Sequence, residues 1–366
     1  MRLLLCGGGT AGHIIPALAV AEEMKRLDPH AEILFIGREG GLENEHIIKS
    51  GFPQRTLRVY GLKRSISLDN ITRVREAIKA RAEAVKIIRD FRPDVILGTG
   101  GYVCWPVISA GRRLKIPTAI HESNVYPGLT TRLLSRKCDK VFLGCEETKN
   151  YLKRGVNTVT VGNPIRADFG KLSRKKERER IGVKDNELLI ISFGGSIGAE
   201  VMNRVIIDTM LEYSSKERGV KHLHATGRRY YEGIKEKLSK ASLGGCKIIP
   251  YIENMPSALI AADIVICRCG SMTLAEIAEA GVASILIPSP NVTNNHQLKN
   301  AEHLERQSAA TLIEEKNLSK ERLIEELKRL KIDKNGRKTQ AKNIKATSTP
   351  KAGEMIVNEL VLLKKS

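Results

Sequence analysis

Two glycine-rich loops contain the residues best suited to hold an anionic ligand. Residues 7–13 read GGGTAGH and residues 194–199 read GGSIGA, and each loop follows a short apolar run and precedes a helical pattern. Glycine lets the main chain approach a phosphate closely, and a helix N-terminus offers free N–H groups and the positive end of its dipole. The loops therefore predict two phosphate sites, although either loop alone is as typical of a tight turn without a ligand.

The first loop also satisfies the GxGxxG pattern of dinucleotide-binding dehydrogenases, through Gly7, Gly9 and Gly12. Those enzymes place an acidic residue at the end of the second strand. Here Glu32 opens the expected second strand and residues 37–38, Gly and Arg, close it. The pattern therefore argues against a dehydrogenase.

A third block, residues 268–276 (RCGSMTLAE), follows a further apolar run. The Glu276 carboxylate could accept hydrogen bonds from both ribose hydroxyls of a nucleotide whose pyrophosphate lies at the start of the helix. The alternative is a helix cap, in which Ser271 or Thr273 caps the helix and Glu276 lies at its third position. The sequence leaves both interpretations open.

The elements that position these loops are short apolar runs, each leading into a helical pattern. The runs are residues 3–6, 33–36, 95–97, 118–120, 141–143 and 159–161, and then 188–193, 223–225, 247–249, 264–267, 284–287 and 311–313. This alternation predicts two α/β domains with parallel sheets, which bind ligands at the carboxyl ends of their strands. We expect residues 333–350 to be exposed and residues 352–363 to form a last helix that packs on the first domain.

Composition limits the possible partners and location. The 366 residues, 42% hydrophobic and 28% charged, are enough for two folded domains. The net charge of +20 predicts an anionic partner such as nucleic acid, anionic lipid or a phosphorylated substrate. No window approaches the roughly 18–20 apolar residues of a membrane span, and the start of the chain reads as a strand and loop rather than a signal peptide. We expect a cytosolic protein whose seven scattered cysteines are reduced and bind no zinc.

Beyond these patterns, the sequence resembles the MurG family of bacterial transferases over nearly its whole length. The matching blocks are GGGTAGHIIPALAVA from residue 7, GTGGYVCWP from 98, IPTAIHESNVYPGLTTRLL from 116, VGNPIR from 161, FGGSIGA from 193, YIENMP from 251, CRCGSMTLAEIAEAG from 267 and NNHQLKNA from 294. The resemblance implies a GT-B fold, two Rossmann-like domains facing each other across a cleft. It assigns residues 1–164 and 350–366 to an acceptor and membrane-facing domain, and residues 165–349 to the donor-binding domain.

The activity implied by the resemblance is an inverting transfer of N-acetylglucosamine from UDP-N-acetylglucosamine to the C4 hydroxyl of undecaprenyl-pyrophosphoryl-N-acetylmuramyl-pentapeptide, or lipid I. The product, lipid II, serves peptidoglycan synthesis. The resemblance implies no cofactor, no catalytic metal and no nucleic-acid partner, and it implies peripheral attachment to the anionic cytoplasmic face of the cell membrane. Inversion by direct displacement needs one general base. His13 is the first candidate, because a helix N-terminus disfavours its protonated form, and Glu122 is the competing base.

The other site residues also follow from the resemblance. On the acceptor side they are Thr10, Ala11, Gly12, Tyr102 and Asn124. On the donor side they are Arg166 and Ser196 at the phosphates or nearby sugar, Ile252 at the uracil, Ser271, Met272 and Thr273 near the diphosphate with Leu274 in the same substrate-binding set, Glu276 at the ribose, and His296 and Gln297 at the sugar hydroxyls. Three positions depart from the family pattern: Ala11 replaces the usual glycine, and Ser123 and Ile197 stand where glutamine is common.

Three interpretations compete with parts of this assignment. In the basic segment 62–92, the second half is typical of a helix packed on the sheet, whereas Lys63 to Lys79 fits a surface touching anionic lipid equally well. A UDP-N-acetylglucosamine 2-epimerase shares the architecture and the donor, but the GTGGYV and HESN blocks argue against it. A nucleic-acid-binding protein rests on the net charge alone and lacks an aromatic stacking platform.

Overall fold

The computed structural model describes residues 1–9, 11–41, 43–61, 69–166, 169–195 and 197–365. The chain forms two compact units, Met1–Arg166 with Thr349–Ser366, and Ala167–Ser348. Each unit is built on one parallel sheet covered by helices. The predicted fold class, α/β with two Rossmann-like domains, is confirmed.

The first unit contains a seven-stranded sheet in the order β3-β2-β1-β4-β5-β6-β7. Its strands are β1 (Arg2–Cys6), β2 (Glu32–Arg38), β3 (Gln54–Leu57), β4 (Val95–Gly98), β5 (Thr118–Glu122), β6 (Lys140–Leu143) and β7 (Thr158–Thr160). Its helices are α1 (Ala11–Leu27), α2 (Glu43–Lys49), α3 (Asp69–Phe91), α4 (Cys104–Arg113), α5 (Leu129–Leu134) and the C-terminal α14 (Ala352–Lys365).

Helices cover both faces of this sheet, and the continuous apolar sequence of strand β1 reflects this burial. Leu3 and Leu5 lie in the core cluster that includes residues of α1 and α14, whereas Leu4 and Cys6 lie in the cluster on the other face with residues of α3 and α4. Because successive side chains of a strand point to opposite faces, a strand buried on both faces reads as a continuous apolar run. The central strands could therefore be located from sequence.

Helix α14 belongs to the first unit although it ends the chain. Ile356 and Leu360 are fully buried in the cluster shared with α1. Two ion pairs hold its polar side: the Lys140 Nζ atom lies 2.5 Å from Glu359, and Lys364 Nζ lies 3.0 Å from Asp94. Apolar burial supplies most of the stabilisation of such a contact, since partly exposed ion pairs contribute about 0–1 kcal/mol each.

The second unit contains a six-stranded sheet in the order β10-β9-β8-β11-β12-β13. Its strands are β8 (Leu188–Phe193), β9 (Val220–Ala225), β10 (Cys246–Ile249), β11 (Ile264–Cys267), β12 (Ala283–Leu286) and β13 (Thr311–Leu312). Its helices are α6 (Arg174–Ile181), α7 (Glu200–Thr209), α8 (Tyr231–Lys237), α9 (Met255–Ala261), α10 (Ser271–Ala280), α11 (His296–Arg306), α12 (Lys320–Ile332) and α13 (Lys334–Ala346).

In each sheet the strand order reverses at one point, so that the strands on the two sides of it are added in opposite directions. In the first unit this point lies between β1 and β4, and in the second between β8 and β11. Loops that leave such neighbouring strands diverge to opposite faces and leave a crevice at the carboxyl ends, where α/β proteins bind ligands. The three blocks singled out from sequence, at residues 7–13, 194–199 and 268–276, follow β1, β8 and β11.

Helix α3 divides into two parts. Its second half packs on the sheet through Ala80, Ala84 and Ile88. Its first half exposes Ile71, Val74 and Ile78, with 54%, 47% and 57% of each residue accessible. Lys63 and Arg64, assigned to the same basic segment, lie outside the described residues. None of the helices in the described ranges is long and apolar enough to cross a membrane.

Two elements were not anticipated from sequence. Strand β3 pairs at the sheet edge with β2, and its polar sequence QRTL carries no apolar run. The segment 333–350, expected to be exposed, is exposed or half-buried except at two positions of helix α13, which was not predicted. Gln340 and Ile344 are buried, and the Gln340 amide accepts a hydrogen bond from Ser284 N at 2.9 Å and donates one to Thr311 Oγ1 at 3.1 Å.

Candidate functional site

In the first unit, the loops after β1 and β4 lie main chain against main chain. Gly101 has a φ of +81°, and a Cβ atom there would clash with the carbonyl oxygen of Gly8. The Gly8 N–H donates to the Gly100 carbonyl at 3.4 Å. Because glycine alone allows both the positive φ and the contact, the GGG and TGG sequences together hold the two loops in place.

His13 lies in the first turn of α1, which begins at Ala11. Its carbonyl accepts a 2.6 Å hydrogen bond from Thr99 Oγ1, and its half-buried ring lies so close to Gly100 that a Cβ atom there would clash with it. The loop that follows β4 therefore fixes the position of His13, the candidate general base. Gly12 is half-buried beside it, whereas Thr10 and the Ala11 side chain lie outside the described atoms.

Tyr102 packs against the same glycine loop. Its ring covers Gly9, where a Cβ atom would lie 3.0 Å from it, and its hydroxyl accepts a 3.2 Å hydrogen bond from Arg38 Nη1. The structure thus brings Tyr102 to the loop that carries His13.

Glu122, at the end of β5, is 5% exposed and its carboxylate accepts four hydrogen bonds. One oxygen accepts from the main-chain N and the Nδ2 of Asn124, at 3.0 and 3.1 Å. The other accepts from Gly128 N at 2.9 Å and from Thr131 Oγ1 at 2.6 Å. These four donors engage the lone pairs of the carboxylate, so Glu122 orders the loop that presents Asn124.

The second unit contains a cavity of about 530 Å³ at the carboxyl ends of its strands. Gly194, Gly195 and Gly198 form one wall, and Gly270 and Thr273 at the start of α10 form another. Helices α7 and α10 thus both begin at the cavity. Two helix N-termini beside one cavity provide main-chain N–H donors and favourable dipoles for an anion.

The charged side chains that line this cavity are one arginine and two glutamates. Arg268, Glu200 and Glu315 line it. Arg268 forms an ion pair with Glu315 and donates to the carbonyls of Ile287 and Pro288 at 3.2 Å each. Arg268 could not be singled out from sequence, since an arginine next to a strand carries no spacing signal of its own.

Glu276 lies one turn beyond Thr273 on α10. The N-cap of this helix is Gly270, without a side-chain cap, so the capping interpretation of Ser271 or Thr273 with Glu276 is wrong. Within the described ranges the Glu276 carboxylate has no hydrogen-bond or ion-pair partner, and burial raises its pKa to about 7. A half-buried carboxylate without a partner is poised to accept hydrogen bonds from a ligand.

The remaining donor-side residues occupy different positions. Gln297 lines the cavity, and its amide oxygen accepts from Cys269 N at 3.2 Å and Ser289 N at 2.9 Å, which leaves its NH2 group to donate. His296 precedes it on α11 and contacts the Thr293 carbonyl through Nδ1 at 2.8 Å. The buried residues of the set are Ile252, Met272 and Leu274, and Ser271 begins α10.

Two predicted phosphate contacts lie outside the described part of the second unit. Arg166 lies in the first unit, where its guanidinium pairs with Glu22 of α1. Ser196 lies outside the described residues. Their contacts with a phosphate or sugar stay predictions.

The raised pKa of Glu276 predicts a pH-dependent effect of Glu276→Gln on stability. The folded carboxyl has a pKa of about 7 against 4.5 unfolded, so the folded state binds the extra proton between these values and wild-type stability falls as pH rises through this window. A glutamine side chain does not titrate, so the variant does not lose stability as the pH rises through this window. Relative to wild type, the variant should gain about 3 kcal/mol in unfolding free energy between pH 4 and pH 8.

Urea unfolding of the second unit at both pH values measures this difference. Glu305→Gln, at an exposed position of α11, is the matched control and should show no such gain. An effect of Glu276→Gln that is equal at pH 4 and pH 8 would contradict the raised pKa.

Comparison with known proteins identifies both units. Residues 3–143 match the glycosyltransferase family 28 N-terminal domain, and residues 189–356 match the family's C-terminal domain. The chain is 43% identical over 356 residues to the UDP-N-acetylglucosamine–N-acetylmuramyl-(pentapeptide) pyrophosphoryl-undecaprenol N-acetylglucosamine transferase of Acetivibrio thermocellus, covering 97% of this chain and 96% of the relative.

Solved structures agree. The crystal structure of Acinetobacter baumannii MurG superposes with a TM-score of 0.80 at 26% identity, covering 100% of this chain and 99% of that one. A UDP-GlcNAc 2-epimerase from Neisseria meningitidis reaches a TM-score of 0.69 at 17% identity, covering 99% and 100%, which is a likeness of fold alone. The chain therefore belongs to glycosyltransferase family 28 and, within it, to the MurG family of transferases.

Proposed function

We propose that this chain transfers N-acetylglucosamine from UDP-N-acetylglucosamine to the C4 hydroxyl of lipid I, with inversion, to give lipid II for peptidoglycan synthesis. The observation that carries the proposal is that similarity to transferases named for this reaction extends through both units. The candidate residues of the two units divide accordingly. The first unit would bind the acceptor and the second unit the donor.

On the donor side, the cavity offers a group for each part of the nucleotide sugar. The N-termini of α7 and α10 would bind the diphosphate, with Thr273 beside it and the Ile252 main chain at the uracil. Glu276 would accept hydrogen bonds from the ribose hydroxyls, and these favour its ionised form. The Gln297 NH2 group, with His296, would bind hydroxyls of the sugar.

On the acceptor side, His13 would act as the general base. As the C4 oxygen attacks C1 of the sugar, the imidazole takes the hydroxyl proton, the new C1–O4 bond forms, and the bond from C1 to the UDP oxygen breaks. The two helix N-termini stabilise the charge that develops on UDP. Glu122, whose lone pairs are engaged by four donors, would position Asn124 and the loop around the acceptor rather than take the proton.

Transfer of radiolabel from UDP-N-acetylglucosamine to lipid I tests the reaction. Wild type should move the label into the lipid fraction, whereas label recovered as the 2-epimer of the nucleotide sugar would support the epimerase instead. His13→Ala should lower turnover by about 10² to 10⁴ while its UDP affinity stays within about twofold. Glu122→Ala should also keep UDP affinity and lose turnover, because the Asn124 loop loses its acceptor.

His30→Ala is the matched control, since His30 is exposed in the same unit, and it should leave turnover unchanged. Normal turnover in His13→Ala would remove His13 from the mechanism. Normal turnover in Glu122→Ala would do the same for Glu122.

We further propose that the first half of α3 contacts the anionic cytoplasmic face of the cell membrane, where the chain would act as a peripheral protein. Ile71, Val74 and Ile78 are exposed on this half, and the exposed Arg75 and Lys79 accompany them. An apolar stripe with basic neighbours suits the headgroup region, and each basic residue near an anionic surface contributes about 1 kcal/mol. An acceptor with an undecaprenyl chain requires an enzyme that works at such a surface.

Flotation with vesicles tests this surface. Recovery with anionic vesicles should exceed recovery with neutral vesicles, and Ile78→Ser should lower it. Ile332→Ser removes an isoleucine that is 81% exposed in the second unit and should leave recovery unchanged. Equal recovery of wild type with neutral and anionic vesicles would contradict the proposal.

A further inference from the structure

A row of polar side chains is buried in the second unit, on β8, on β9, on α7 and in the residues that follow α7. It consists of Ser214, His222, Ser192, His224 and Asn203, and none of them is more than 2% exposed. Ser192 on β8 is paired in register with His224 on β9, and Asn203 lies on α7. The reaction as proposed uses none of these groups.

Hydrogen bonds connect the row from end to end. The distances are 3.1 Å from Ser214 Oγ to His222 Nδ1, 2.8 Å from His222 Nε2 to Ser192 Oγ, 2.8 Å from Ser192 Oγ to His224 Nδ1, and 3.2 Å from His224 Nε2 to Asn203 Oδ1. At the end of the row, Asn203 Nδ2 donates to the Thr226 carbonyl at 2.8 Å.

The Thr226 carbonyl determines which atom donates in each hydrogen bond of the row. A carbonyl can only accept, so the Asn203 NH2 group faces Thr226 and its oxygen faces His224. His224 must then donate from Nε2. Burial lowers the pKa of His224 to about 4, so its ring is neutral and Nδ1 accepts. The Ser192 hydroxyl, 2.8 Å from Nδ1, is closer than the Ser192 carbonyl at 3.2 Å and donates to it.

The donors between Ser192 and Ser214 follow in the same way. The Ser192 hydroxyl has donated its one proton, so it accepts from His222 Nε2. Burial lowers the pKa of His222 to about 3, so this ring is also neutral, and its Nδ1 accepts from the Ser214 hydroxyl. The arrangement of protons that follows from the Thr226 carbonyl satisfies every side chain of the row, and it holds the Asn203 amide in one orientation.

Thr226 supports the glycine loop directly. A Cβ atom at Gly198 would clash with the Thr226 carbonyl oxygen, and a Cβ atom at Gly227 would lie 2.5 Å from the Gly198 main chain. Gly198 has a φ of +89° and lines the cavity. The carbonyl that Asn203 holds is therefore the surface against which the loop rests.

We propose that Asn203 is a positioning residue of the donor site, which fixes the Thr226 carbonyl and thereby sets the 194–199 loop against the diphosphate of the nucleotide sugar. This inference rests on the proposed assignment of the cavity to UDP-N-acetylglucosamine. Asn203 acts through the loop and does not touch the ligand. Its replacement should therefore weaken donor binding and leave acceptor binding unchanged.

Two variants separate the two hydrogen bonds of Asn203. Asn203→Ala removes both, whereas Asn203→Asp keeps an oxygen for His224 and loses the donor to Thr226 at pH 8. Both should weaken UDP binding in calorimetry by about tenfold, the effect of one lost hydrogen bond, and raise the KM for UDP-N-acetylglucosamine similarly. The KM for lipid I should not change, a split that a general loss of stability would not produce.

Thr209→Val is the matched control. Thr209 is buried on the same helix, and its hydroxyl donates to the Val205 carbonyl at 2.8 Å, away from the loop. It should keep wild-type UDP affinity. Asn203 variants that bind UDP within twofold of wild type would overturn the inference, whereas a wild type that does not bind UDP would overturn the donor assignment itself.

Histidine tautomers provide a test that needs no substitution. Long-range ¹H–¹⁵N spectra of the whole chain at pH 7 should show His222 and His224 as neutral rings with the proton on Nε2. A proton on Nδ1 of His224 would contradict the direction of the row and the orientation of the Asn203 amide.

Discussion

Close contact between main chains at the carboxyl ends of the strands is the constraint on which the candidate site of each unit depends. In the first unit, Gly101 lies on the Gly8 carbonyl, and in the second, Gly198 lies on the Thr226 carbonyl. In both contacts the glycine has a positive φ and no room for a Cβ atom. The loops are therefore fixed by contacts that any side chain would break, and ligand groups can approach their main chain closely.

This constraint would let the chain bind an anion in a cavity whose charged lining, one arginine and two glutamates, has no net positive charge. Arg268 is paired with Glu315, and Glu200 also lines the cavity. Binding of a diphosphate would then rely on main-chain N–H groups and helix dipoles, whose positions must be accurate because they are not carried on adaptable side chains. A buried row of neutral polar groups in the second unit provides such accuracy without adding charge.

The sequence predicted the parts of this molecule that follow from local patterns. Apolar runs located the strands, and the glycine loops follow the carboxyl ends of those strands, where the candidate sites lie. Strand β3 was missed because an edge strand need not be apolar, and α13 because two buried side chains among many polar ones leave a weak pattern. His222 and His224 alternate within β9 like the polar residues of a half-exposed strand, and only their neighbours across the sheet show that they are buried. The capping interpretation of Glu276 likewise could be ruled out only once the position of the N-cap was known.

The most direct test of this account is the effect of alanine at the two glycine contacts. Gly155 and Gly182 are matched controls, since their φ values of +81° and +79° carry the same strain but no atom lies within 4 Å of a Cβ there. The account predicts that Gly198→Ala loses UDP affinity by more than Gly182→Ala does, and that Gly101→Ala keeps UDP affinity but loses transfer to lipid I, unlike Gly155→Ala. If each variant matched its control in UDP affinity and in turnover, the contacts would not position the site and the account would be wrong.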